Sequence, residues 1–360
     1  MKILHIGEYV KGGVATYIRT LLRYQVLAND VYLLMSNSNS EKEWPLSNQN
    51  LFYYKYERSL SNIFPAIFEI YRYIKNIQPD IIHIHSSWAG LFVRVIYFFL
   101  GNRPKIVYCA HGWSFLMDTS LIKKYIYVLV ERVLAYQTDI IINISKYEHI
   151  QSLKLGLPKH KSKMIYNGLD EVDTIKESKA KSDNISTTNK IKLLFVGRFD
   201  KQKGLDLLLR FFSNNKIEHI ELYVIGDKVL NNTFVTIPQG VHYLGWIENA
   251  SIDYYYQTCD AVIMPSRWEG FGLVAVEAMR NKKAVIASNR GALPELVIND
   301  FNGYIFDIDN MNELKEIFQR INKDELSIKG NNGYNLFKKK FISQKLNDNI
   351  INIYQSLLCP

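Results

Sequence analysis

The run Arg267-Trp268-Glu269-Gly270-Phe271-Gly272-Leu273-Val274-Ala275-Val276-Glu277-Ala278-Met279 holds two glutamates eight residues apart, with a glycine-flanked phenylalanine between them. It follows Asp260-Ala261-Val262-Ile263-Met264-Pro265, a short apolar run that reads as a buried strand stopping at proline. After Gly272 comes an uninterrupted helix-forming stretch. The pattern is strand, tight glycine turn, helix, and the first amides of that helix lack an intrahelical acceptor. Such a terminus suits an anion, because unpaired N–H groups and the positive end of the helix dipole point at it. A carboxylate on either side of the terminus would repel the anion and is better placed to accept hydrogen bonds from hydroxyls. Phosphate beside ribose and hexose hydroxyls describes a sugar nucleotide.

Working outward, Glu269 to Glu277 resembles the E-x7-E motif of the retaining glycosyltransferases of family 4, which have the GT-B fold. Two glutamates at one spacing arise often by chance; the Gly-Phe-Gly-Leu between them and the strand before them make the match specific. Further landmarks follow in the family's order over nearly the whole chain. The resemblance assigns Glu269 to the donor sugar and Glu277 to the ribose. Gly270, Phe271, Gly272 and Leu273 would form the donor-binding turn.

Gly197-Arg198-Phe199-Asp200-Lys201-Gln202-Lys203-Gly204 resembles the family's G-R-x-x-x-x-K-G element, in which Arg198 and Lys203 would converge on the diphosphate. Arginine offers a planar fork of donors and lysine a compact charge. Gly7-Glu8-Tyr9-Val10-Lys11-Gly12-Gly13 opens the first helix. It lacks the Lys-Ser/Thr of a P-loop and is not the G-x-G-x-x-G of a nicotinamide site. By resemblance Gly12 and Gly13 approach the diphosphate or the acceptor. Ala110-His111-Gly112 matches the family's histidine-glycine and puts His111 near the anomeric carbon and the transferred sugar's hydroxyls. Gly226, before Asp227, is expected to border the base, and the loop from Ser288 to Glu295 to close the nucleotide pocket.

Looser matches place His85, Ser86, Ser145 and Asn167 on the acceptor side. His83 and His85 lie two apart on one strand; lacking a third ligand at sensible spacing, they read as core or cleft-lining residues rather than a metal pair. Asp307-Ile308-Asp309 is a D-x-D, a metal signature of the other glycosyltransferase fold, but it stands late in the chain just before a helix. There the aspartates read as helix caps. The expectation is no catalytic metal and no cofactor.

Composition bounds the rest. A chain of 360 residues, 48% hydrophobic and 22% charged, is globular and long enough for two domains. Cys109, Cys259 and Cys359 are odd in number and far apart, which speaks for a reducing compartment. Residues 2–7 are too short an apolar run for a signal peptide, and the longest apolar run, 89–101, is interrupted by Arg94 and falls short of a bilayer span. Residues 1–170 carry 20 Lys and Arg against 12 Asp and Glu, whereas the remainder is nearly balanced. Basic residues beside apolar segments at 58–75, 94–105 and 123–132 suit an anionic membrane surface. Nucleic acid is not expected, for no recognised motif accompanies the charge. The expected location is cytoplasmic, peripheral on the inner face of the cytoplasmic membrane.

Strand-like runs alternate with helical patterns throughout, which implies parallel sheets with crossover helices. The expected architecture is α/β: two Rossmann-like, doubly wound parallel-sheet domains facing across a cleft, the GT-B arrangement. Residues 1–170 would bind the acceptor, 171–189 (rich in Lys, Ser, Thr and Asn) would link, and 190–341 would bind the nucleotide sugar. The helix in 342–360 would cross back to the first domain, by resemblance. The resemblance implies transfer of a sugar, with retention, from a nucleotide-diphosphate donor to an acceptor hydroxyl. Arg198, Lys203 and the helix terminus would stabilise the leaving diphosphate. A UDP-hexose or UDP-N-acetylhexosamine donor is expected, with an undecaprenyl-diphosphate-linked acceptor in O-antigen, capsule or exopolysaccharide assembly. The alternative is a UDP-sugar 2-epimerase, which shares the fold and should lack the E-x7-E with its Gly-Phe-Gly.

Overall fold

A computed structural model describes residues 1–100, 103–171, 189–227 and 237–359. The chain forms two compact units, Met1–Asp170 with Ile342–Pro360, and Glu171–Phe341. Most of the expected linker, residues 172–188, lies outside the described residues.

The first unit runs β1 (Lys2–Gly7), α1 (Gly13–Gln25), β2 (Asp30–Ser36), β3 (Leu51–Tyr54), α2 (Ile63–Ile77), β4 (Ile81–His85), α3 (Ser87–Ile96), β5 (Lys105–Cys109), α4 (Leu121–Leu134), β6 (Ile140–Asn143), α5 (Lys146–Lys154) and β7 (Ser162–Met164). Its sheet has the order β3-β2-β1-β4-β5-β6-β7, with parallel pairs throughout. β4 is buried at every residue, as a strand with helices over both faces must be. α2 buries Ala66, Ile70, Ile74 and Ile77, one stripe of a 3.6-residue period.

The second unit runs β8 (Ile191–Val196), α6 (Leu205–Asn214), β9 (Ile220–Ile225), β10 (Val241–Gly245), α7 (Asn249–Thr258), β11 (Ala261–Met264), α8 (Leu273–Arg280), β12 (Ala284–Ser288), α9 (Leu293–Leu296), β13 (Gly303–Phe306), α10 (Met311–Arg320) and α11 (Lys323–Lys340). Its order, β10-β9-β8-β11-β12-β13, repeats the winding of the first sheet. Each sheet therefore reverses direction once, between β1 and β4 and between β8 and β11. Ligands of doubly wound sheets bind at the carboxyl ends of the strands at such reversals.

α12 (Ser343–Leu358) belongs to the first unit. Ser343 N–H donates to the Leu169 carbonyl at 2.9 Å, and the Tyr354 hydroxyl reaches His83 Nδ1 at 2.6 Å. The chain thus leaves the first unit after Asp170 and returns to finish it.

Candidate active site

In the second unit, the loops after β8 and β11 flank the sheet reversal and are tied to each other. Lys203 Nζ lies 2.7 Å from Glu269 Oε2, both side chains mostly buried. The Arg267 N–H donates to the Gln202 carbonyl at 2.8 Å, and Gln202 Nε2 to the Trp268 carbonyl at 3.2 Å. Gly204 makes this approach possible: at φ +72°, a Cβ there would lie 2.0 Å from the Pro265 carbonyl oxygen. Gly291 does the same for the loop after β12, where a Cβ would meet the Glu269 carbonyl oxygen at 2.1 Å. Three loops thus close around Glu269.

Gly272 is the N-cap residue of α8, its φ of +101° a conformation glycine tolerates, and no side chain caps the helix among the described residues. Glu277 lies one turn inside α8 and accepts from the Tyr256 hydroxyl at 2.6 Å. Desolvation by burial raises its carboxyl above the ordinary range, partly offset by the Tyr256 hydrogen bond. The Phe271 side chain packs into the core, with its ring centroid 6.0 Å from that of Phe341. Arg198 bonds Asp200 at 3.0 Å and Gln202 at 3.1 Å while staying more than half exposed. Gly226, at the end of β9, packs on the Gly197 carbonyl, and residues 228–236 beyond it lie outside the described residues.

The aspartates of the D-x-D do not cap α10, whose N-cap residue is Asn310. Asp307 instead accepts from the Asp309 N–H at 3.2 Å, and both carboxylates pair with Arg290. The caps expected from sequence are displaced by a cation brought in from the loop after β12.

In the first unit the histidines are brought together, and the reading that His83 and His85 lack a third partner is corrected. β1 pairs with β4 in a register that sets His5 opposite His83. His5, His83 and His85 then hold ring nitrogens within 4.8 Å of one another, close enough to suggest a metal ion. The bonding opposes that use. His5 Nδ1 meets His85 Nε2 at 3.0 Å and His5 Nε2 meets Gln25 Oε1 at 2.8 Å, while His85 Nδ1 meets His111 Nε2 at 2.9 Å. The lone pairs of His5 and His85 are thereby spent. Desolvation by burial lowers all four histidines, His5 to about 4 and His111 to about 3, so the cluster is neutral at pH 7.

Ser86 and Ser145 cap α3 and α5 through their hydroxyls, and Ser145 is fully buried. Asn167 is buried, and its Oδ1 meets no partner among the described residues. Gly12 precedes α1 at φ +61° with its N–H donating to Glu41 at 3.1 Å, and Gly13 begins the helix. Sequence reading missed His5, Gln25 and Tyr256. For His5 a signal existed: it occupies the strand that a doubly wound order places beside the one carrying His83.

The basic segments are also less free than their sequence suggests. Arg94 is fully buried, 2.9 Å from Glu131 with its guanidinium 3.8 Å from the centre of the Tyr108 ring. Arg58 pairs with Glu8, and Arg103 with Asp139. α4 is different: it exposes Leu121, Ile122, Tyr125, Ile126 and Leu129 and buries only Glu131 and Leu134. No described helix is long and apolar enough to cross a membrane.

Comparison with known proteins agrees with this architecture. Residues 11–172 match the model of Glycosyltransferase Family 4, and residues 176–339 that of Glycosyl transferases group 1. An uncharacterised 41.2 kDa protein in the cps region of Klebsiella pneumoniae is 38% identical over 88% of this chain and 89% of its own length. An Escherichia coli UDP-Gal:alpha-D-GlcNAc-diphosphoundecaprenol alpha-1,3-galactosyltransferase is 25% identical over 82% of this chain and 80% of its own. Among solved structures, Anabaena HepE in complex with UDP-glucose superposes with a TM-score of 0.82 at 20% identity, covering 99% of this chain and all of that one. With two doubly wound sheets and a family match over each half, the chain belongs to the GT-B glycosyltransferases of family 4.

Proposed function

We propose that this enzyme moves a hexose or N-acetylhexosamine from a UDP-sugar, with retention and without a metal ion, to a hydroxyl of an undecaprenyl-diphosphate-linked acceptor during assembly of a surface polysaccharide. The observation that carries the donor reading is the Lys203–Glu269 pair at the sheet reversal, beside the start of α8, which no side chain caps among the described residues. An ammonium has three N–H donors, so Lys203 can hold Glu269 and still bond a phosphate oxygen. Arg198, exposed on the same loop, would add a second cation when a diphosphate draws it from Asp200. As the sugar–oxygen bond breaks, charge gathers on the diphosphate, and these groups stabilise it in place of a metal ion. The second oxygen of Glu277 is left for ribose hydroxyls and Glu269 for the sugar. The leaving phosphate would take the acceptor proton on the same face.

The relatives support the class of substrate. One lies in a cps region, one uses UDP-Gal with a diphosphoundecaprenol-linked acceptor, and HepE binds UDP-glucose. An epimerase reading gains nothing from them. A membrane-borne acceptor fits α4, whose exposed apolar residues lie beside Lys123 and Lys124, as in helices that rest in a membrane interface. Thermal shift against UDP- and GDP-sugars, without metal and then with Mg²⁺, tests the proposal. Stabilisation by one UDP-sugar without metal, lost in Lys203→Ala, is expected. A response that requires Mg²⁺, or none at all, would overturn the site as drawn.

A further inference from the structure

We propose that Gln25, His5 and His85 form a directional chain of hydrogen bonds that fixes the tautomer and orientation of His111. The inference rests on His111 belonging to the working site, as the family resemblance implies, and goes beyond it by naming what holds that residue.

A neutral imidazole has one N–H and one lone pair, so each ring in a chain of imidazoles passes a direction to the next. The Gln25 side-chain oxygen Oε1 can only accept, which places the proton of His5 on Nε2 across the 2.8 Å contact. His5 Nδ1 is then an acceptor, and His85 must donate to it from Nε2 at 3.0 Å. His85 Nδ1 becomes an acceptor in turn, and His111 donates from Nε2 at 2.9 Å. His111 is left with a lone pair on Nδ1, where Cys109 Sγ lies 3.6 Å away. The main-chain N–H of His111 already points to that sulfur, and burial keeps the thiol protonated, so its hydrogen is available to Nδ1. Each of the three imidazoles then has one donor and one acceptor, all in use.

The ring geometry suits this. The His5 and His85 planes differ by 16° with centroids 5.2 Å apart, and those of His85 and His111 by 25° at 5.2 Å. These separations exceed the N···N distances by roughly one ring diameter, so the rings meet edge to edge, with lone pair and N–H in line. His111 also has a φ of +55°, a strained conformation for a histidine that persists only where its surroundings over-determine it. Tyr17 closes the other side, with its ring edge-on at 4.5 Å. Among the described residues, the titratable groups facing His111 include Tyr17 from α1, His83 and His85 from β4 and Cys109 from β5. Gln25, on the last turn of α1, sets the state of a residue three hydrogen bonds away.

The experiment is a long-range ¹H–¹⁵N correlation spectrum of the full chain with ¹⁵N-labelled histidine, assigned by single His→Gln variants. At neutral pH, His5, His85 and His111 are expected as the Nε2–H tautomer. Gln25→Glu keeps the acceptor and should keep the pattern; Gln25→Met removes it and should shift His111 towards Nδ1–H. In Gln25→Met, kcat should fall roughly ten- to a hundredfold with KM little changed, and Gln25→Glu should restore it. An Nδ1–H His111 in the native protein, or a His111 indifferent to Gln25→Met, overturns the proposal. If Gln25→Met does not fold, the native spectrum alone decides. A tautomer shift with unchanged kcat would leave the chain standing and remove His111 from the working site.

Discussion

Lys203 and Glu269, brought from loops that follow different strands, form an ion pair of 2.7 Å that is mostly withdrawn from water. The pair joins the two loops that border the reversal of the second sheet, so on the proposed reading donor binding and loop geometry depend on the same contact. Lys203→Met should lower kcat by on the order of 10²–10³-fold, as loss of one transition-state donor does, while weakening UDP binding far less. Steady-state kinetics with calorimetric UDP binding measures both. Equal losses in the two would show that Lys203 only binds the ground state.

Tyr256 bears on the second glutamate. Its hydroxyl orients Glu277 across 2.6 Å and offsets part of the cost of burying that carboxylate. Tyr256→Phe should raise the donor KM by about five- to tenfold, the worth of one hydrogen bond of roughly 1 kcal/mol, with kcat nearly unchanged. An unaltered KM would detach Glu277 from the donor.

The buried histidines predict an acid-sensitive fold. Their folded pKa values are depressed, so below about pH 6.5 the unfolded chain binds protons that the folded chain refuses, and stability falls as pH falls. His5, fully buried and lowered to about 4, alone contributes a loss of about 1–2 kcal/mol between pH 6.5 and 5. His83, His85 and His111 act in the same direction. Urea midpoints at pH 8, 6.5 and 5 should fall a little over the first step and steeply over the second, and the second drop should shrink in His5→Gln. A midpoint constant to pH 5 would contradict burial of neutral rings.

α4 supplies a test that leaves the catalytic groups alone. Ile122→Glu with Tyr125→Glu places two charges on exposed positions, so the melting temperature should stay within a few degrees. Co-sedimentation with vesicles containing anionic lipid should fall at least severalfold. Unchanged sedimentation would move membrane contact away from this helix.

Local chemistry made much of this molecule legible in its sequence. Strands such as Ala261–Met264, the glycine turns and the helices after them depend on periodicity and backbone preference within a dozen residues, which sequence carries directly. The doubly wound class followed from their alternation. Tertiary structure decided which side chains meet. His5 lies 80 residues from His85, and only the parallel register of β1 on β4 joins them. Arg94 reads as a surface cation until the fold sets Glu131 beside it, and Asp307 and Asp309 read as caps until Arg290 arrives from another loop. Lys203 and Glu269 were each expected as site residues, but not as partners of one another. Helix and strand are decided by contacts within a few residues, whereas ion pairs and hydrogen-bond chains are decided by which strand ends the sheet order places side by side.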